Sequence, residues 1–143
     1  MFSDGFKKKL TPSFIRSYQR KLRDEKAAAE YSGLSNSEVF EKIYEEQKWG
    51  HSGREDRKYS SGDRTRDQEI VSDYIQAITD FLSRNPDLKT GLDLGCGDFS
   101  VGVNFCDLFD TYKAADVAKN VIAENKKIYR DENVEFFSTA KLM

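Results

Sequence analysis

Two cysteines, two prolines, one histidine and one tryptophan are all that 143 residues supply of those types. Cys96 and Cys106 sit among apolar or glycine neighbours with no Cys-x-x-Cys spacing, so neither a disulfide framework nor a zinc site is expected. The lone histidine, His51, lies in a polar stretch and is read as a bystander; no general base is assigned. No apolar run approaches the roughly 20 residues that span a bilayer. The opening "MFSDGFKKKL" lacks the apolar centre of a signal peptide. With reduced thiols as the default, the expectation is a cytoplasmic protein without membrane contact. Net charge is only -2, too small a field to draw the whole chain onto nucleic acid.

What is present suits one ordinary domain: 38% hydrophobic, 34% charged and 13% aromatic residues. The charge is uneven. Residues 1–30 hold eight Lys/Arg against four Asp/Glu, a net of +4; the remainder holds 15 against 21, a net of -6. The spacing predicts a basic helical arm over residues 1–35, entered at Thr11-Pro12, with Phe14, Ile15, Tyr18 and Leu22 as its stripe and Gly33 as its stop. A second helix starts near Ser35, whose distance to Glu38 fits a capping box. Val39, Phe40, Ile43 and Tyr44 form its inner face, and Trp49-Gly50 ends it. Residues 48–64 read as a long Ser/Gly loop, a binding loop, a lid or a disordered segment, expected to be mobile without ligand and ordered with it. A third helix runs from about Thr65 to Arg84, with Ile70, Tyr74, Ile78 and Phe81 inward, until Pro86 breaks it.

Strand chemistry begins only then. "TGLDL", "YKAADV" and "NVEFFST" read as strands, with "SVGVNFCDLF" and "KNVIAENKKIYR" as the helices between them. The β-α-β-α-β alternation over residues 36–143 predicts an α/β, Rossmann-like parallel sheet of three strands behind a helical lead-in.

Its first turn, "GLDLGCGDFSVG", concentrates the chemistry. Gly95 and Gly97 let the backbone approach a ligand at the carboxyl end of a strand. Asp93 lies two residues before Gly95, and Asp116 ends the next strand 21 residues after it. A carboxylate there matches the vicinal hydroxyls of a ribose. A dinucleotide fingerprint would want glycine at position 100, which is Ser100. A pyrophosphate gains nothing from Asp93, whereas the ammonium and sulfonium of S-adenosylmethionine would.

The stretch "LDLGCGDFSVG" resembles motif I of the class I S-adenosylmethionine-dependent methyltransferases. Residues 38–137, with a Trp-Gly and a Ser/Gly loop ahead of the motif, are similar to a small-molecule or sugar-type branch. The resemblance implies that Gly95, Cys96 and Gly97 meet the methionine part of the cofactor and that Asp93 acts on its ammonium. Asp116 would hold the ribose hydroxyls and Val117 would lie against adenine. Ser61 and Gly62 would close over the carboxylate. Trp49 and Tyr59 are candidates for an acceptor pocket. The motif departs from the family at Phe99, where a third glycine is usual, and "FFSTAKLM" offers no acid for the adenine amino group.

The family fold has seven strands and this sequence offers three. The expectation is therefore a fragment, or a sheet edge covered by another element, a partner chain or a second copy. A methyltransferase domain acting on a small-molecule acceptor is the leading reading. A non-catalytic interaction module that retains half the fold is the alternative. A nicotinamide-dependent oxidoreductase is disfavoured by Ser100 and Asp93.

Overall fold

The structure, a computed structural model, describes residues 13–51, 53, 55–62, 65 and 67–140. The chain divides into two compact units, Met1–Leu34 and Ser35–Met143. In the first, helix α1 (Ser13–Glu30) leaves Tyr18 and Leu22 exposed, and Lys21 and Glu25 pair across one turn at 3.8 Å. The predicted helix start at Thr11-Pro12 lies outside the described residues.

The second unit opens as its sequence requires. Ser35 caps α2 (Asn36–Glu45): its hydroxyl accepts from the Glu38 N–H while the Glu38 carboxylate takes the Ser35 N–H at 2.8 Å. Helix α3 (Gln68–Ser83) is capped by Asp67, whose carboxylate accepts from the Glu69 N–H. Of the predicted stripe, Ile78 packs on the core and the other three do not. Ile70, Tyr74 and Phe81 are about half exposed, while Val71 is buried and Ile75 packs on the core with Ile78. Both rows have helical spacing, and the buried side combines Val71 and Ile75 of one with Ile78 of the other.

Strands β1 (Thr90–Leu94), β2 (Thr111–Asp116) and β3 (Glu135–Ser138) form a three-stranded parallel sheet in the order β1-β2-β3. Helix α4 (Lys119–Ile128) makes the crossover between β2 and β3. The fold is thus α/β, as the alternation predicts. The helix expected in "SVGVNFCDLF" does not form; two 3-10 turns, Gly102–Asn104 and Cys106–Leu108, replace it. A β-carbon on Gly102 would come within 2.3 Å of the Phe99 ring and 2.9 Å of Asp93 Oδ2, so close packing, not helix propensity, sets this segment.

Parallel partners place Asp93, Ala114 and Phe136 side by side on one face. There Phe99, Tyr112, Ile122, Tyr129 and Phe136 build the core, joined by Ile75 and Ile78 of α3. Phe99 is fully buried, its ring edge-on to Tyr129 at 5.1 Å and to Phe136 at 4.9 Å. The other face is bare along one row, where Leu92 and Lys113 are exposed and Lys113 meets Glu135 at 3.3 Å. Strand β1 is an edge strand, and its Leu94 is 70% exposed. Parallel sheets are ordinarily covered on both faces. Among the described residues, no helix is long and apolar enough to cross a membrane.

Candidate functional site

The three strands end at one rim, and the turn after β1 lies across it. Gly95 and Gly97 both adopt positive φ, 83° and 54°. At Gly97 a side chain is also excluded by contact, since a β-carbon there would sit 2.1 Å from Ser61 Oγ. Phe99 shares the left-handed region at φ 59°, a conformation that a bulky residue rarely adopts. Where the family pattern has a third glycine, this chain has a strained, fully buried aromatic.

Each backbone N–H from Gly95 to Ser100 is bonded inside the chain. Gly95 and Cys96 donate to the Ala115 carbonyl at 2.8 and 3.0 Å, and Phe99 donates to the Cys96 carbonyl at 3.0 Å. Gly97 donates to Asp116 Oδ2 at 3.0 Å, Asp98 to Ser61 Oγ at 2.7 Å, and Ser100 to Asp98 Oδ1 at 3.2 Å. The helix expected after this turn does not form, so no helix N-terminus aims unpaired N–H groups at a ligand here. A phosphate needs such donors. The turn has none left to give.

It has acids instead. Asp93 is half-buried, and burial together with the nearby Asp116 carboxylate raises its pKa above the ordinary 3.8, against a hydrogen bond from Tyr112 that lowers it. Asp116 is 8% exposed, and its Oδ1 accepts from the Ala118 N–H at 2.9 Å. It is buried and stapled within the chain. Asp98, which the sequence did not single out, is buried as well. Burial and the acids around it push the Cys96 thiol far up, so the thiol stays protonated.

A cavity of about 1050 Å³ runs over this rim and the free edge of β1. Asp93, Gly95, Cys96, Gly97, Asp116, Val117 and Ser61 all line it, so seven of the residues singled out in the sequence are brought together. Gly62 stands outside the lining, its N–H on Ser60 Oγ at 3.2 Å and its carbonyl taking the Thr65 hydroxyl at 2.7 Å. The Ser61 N–H goes to Asp98 Oδ2 at 3.0 Å. The N–H groups of Ser61 and Gly62, the two residues that the resemblance sets over the cofactor carboxylate, are thus used within the chain.

Trp49 lines the cavity with Phe40 and Tyr44, its ring 5.9 Å and 4.8 Å from theirs. Tyr59 does not line it. Its ring packs with Tyr44, Ala118 and Val121, and its hydroxyl donates to Glu45. It anchors the loop and takes no part in the pocket. His51 is exposed and outside the lining. The start of α4 is clamped by α2, because Ser37 Oγ donates to the Val117 carbonyl at 2.9 Å and the Lys119 N–H reaches Glu41 at 3.2 Å.

Comparison with protein-family models, with curated proteins and with solved structures finds no match to this chain.

Proposed function

We propose that the unit Ser35–Met143 is an S-adenosylmethionine-binding domain that transfers a methyl group to a small-molecule or sugar acceptor. The observation that carries this reading is the turn from Gly95 to Ser100, which spends its N–H donors internally while Asp93 and Asp116 line the adjoining cavity. A turn whose N–H donors are spent, set beside two carboxylates, favours a cation over a phosphate there. The same feature argues against a dinucleotide, whose pyrophosphate would need those donors.

The cofactor, when bound, supplies a methyl carbon already activated by a sulfonium. Asp93 would face its ammonium. Asp116 has lone pairs beyond the two used by Gly97 and Ala118, so it can still accept from a ribose hydroxyl. Val117 would rest against adenine. The aromatic wall of Phe40 and Trp49 would bound the space for the acceptor. Alignment alone can supply ~7–11 kcal/mol of barrier reduction, so no base is assigned.

Calorimetric titration with S-adenosylhomocysteine tests the reading. Measurable heat and a thermal upshift are expected. Silence in both at millimolar ligand removes it. The non-catalytic module keeps one observation in its favour, the exposed Leu92 and Leu94 at the sheet edge. Methyl transfer from labelled cofactor to any small acceptor would exclude that alternative.

A further inference from the structure

We propose that Asp98 is a positioning residue: through Ser61 and Tyr44 it clasps the aromatic wall of the cavity to the glycine turn. The ligand-binding arm of this inference rests on the cofactor reading above. The conformational arm does not.

The clasp is a reciprocal pair between residues far apart in sequence. The Ser61 N–H donates to Asp98 Oδ2 at 3.0 Å, and the Asp98 N–H donates to Ser61 Oγ at 2.7 Å. The other carboxylate oxygen is held by the Ser100 N–H at 3.2 Å and the Ser100 hydroxyl at 2.7 Å, which fixes the plane of the group. Asp98 is itself anchored from below, since Tyr129, the cap residue after α4, donates to its carbonyl at 3.2 Å. Whatever Asp98 holds is therefore placed relative to the sheet and α4.

It holds the wall. Ser61 Oγ lies 3.1 Å from the Tyr44 hydroxyl. The buried Tyr44 ring in turn meets Trp49 edge-on at 4.8 Å. Burial lifts the Tyr44 pKa far above the ordinary value, so the phenol stays neutral and remains able to donate. Slippage toward the turn is blocked, because Ser61 Oγ already fills the place of a Gly97 side chain. The polar atoms of Ser61 thus serve the turn and not the cavity. The segment around it acts as a strut, which departs from the lid that its Ser/Gly composition predicts.

The test uses the single tryptophan of the chain as its reporter. Ser61→Ala, Tyr44→Phe and Asp98→Asn are compared with wild type, each well below its melting temperature. Two quantities are read: acrylamide quenching of Trp49 without ligand, and the dissociation constant of S-adenosylhomocysteine. With the clasp broken, quenching should rise by about twofold as the wall loosens. Affinity should fall by about tenfold, the equivalent of one lost hydrogen bond. Ser61→Ala and Tyr44→Phe together should cost less than the sum of the two, since they cut one chain of contacts. Unchanged quenching in both Ser61→Ala and Tyr44→Phe overturns the clasp, whether or not the ligand binds. Raised quenching with unchanged affinity overturns the positioning role. If wild type fails to bind, the cofactor reading falls and quenching alone judges the clasp. Should Asp98→Asn fail to fold, the two hydroxyl deletions still decide.

Discussion

Asp116 at the end of β2 accepts the Gly97 N–H on one oxygen at 3.0 Å and the Ala118 N–H on the other at 2.9 Å. One side chain therefore ties the turn after β1 to the start of α4. Asp116→Ala leaves two buried donors unpaired, and each costs about 1–3 kcal/mol. Stability should fall by about 3 kcal/mol by urea titration. Cofactor-product affinity should fall with it, because the turn and the proposed ribose contact would fail together. Asp116→Asn should recover part of both, keeping one acceptor. Loss of affinity at unchanged stability would mean that the staple carries little energy.

Phe99 yields a test of strain. Its left-handed backbone costs about 1–2 kcal/mol relative to a relaxed residue. Its buried ring is worth about 3–5 kcal/mol on truncation. Packing wins, so Phe99→Gly should destabilise by about 2–3 kcal/mol. Phe99→Ala retains the strain and also loses the ring. It should therefore be less stable than the glycine variant by about 1 kcal/mol, the reverse of the usual order in a helix or strand. Thermal melts of the three proteins rank them directly.

Asp93 should make stability and affinity respond oppositely to pH. Its folded pKa lies above 3.8, so on the way up from that value the native state keeps a proton that the unfolded chain has already released. The contribution of this group to stability then falls as pH rises through the window between 3.8 and the raised value. Affinity for an ammonium-bearing ligand rises over the same window, as the carboxylate ionises. Urea titrations and calorimetry from about pH 4 to about pH 7 would read both slopes. Asp93→Asn should flatten both, and persistence of either slope in that variant assigns it elsewhere.

At the free edge of β1, Leu92→Glu and Leu94→Lys should change stability by less than about 0.5 kcal/mol, because both side chains are exposed. Leu92 is the parallel partner of Lys113, so a carboxylate there gains an opposite charge. The double variant should sediment as a smaller species than wild type at high concentration, since charge on an edge strand opposes strand-to-strand pairing. Equal sedimentation would show that the edge does not drive association.

Much of this was readable from local chemistry. "TGLDL" became β1 to the residue, and Ser35 with Glu38 announced the start of α2, since both depend on near neighbours. The failures share a cause in distant contacts. The inner face of α3 follows only in part from its spacing, because two helical rows compete: Ile78 packs inward as expected, and Val71 and Ile75 come from the other row. Tyr59 looked like a pocket residue in a polar loop until its hydroxyl met Glu45. Asp98 reads in the sequence as one more acid after a glycine turn. Its spacing to Ser100, which fits a local side-chain turn, was the signal that could have marked it.

Asn125 and Tyr129 stand four residues apart on the C-terminal half of α4 and its cap, and they take the carbonyls of Gly97 at 2.7 Å and Asp98 at 3.2 Å. Two successive peptide units of the turn are thereby gauged against the pitch of a helix. Adding or deleting one residue between Asp116 and Asn125 would rotate both side chains by about 100° around the helix axis and out of reach. The connector after β2 therefore has a fixed phase as well as a fixed length, and the cavity floor inherits its shape from helical periodicity.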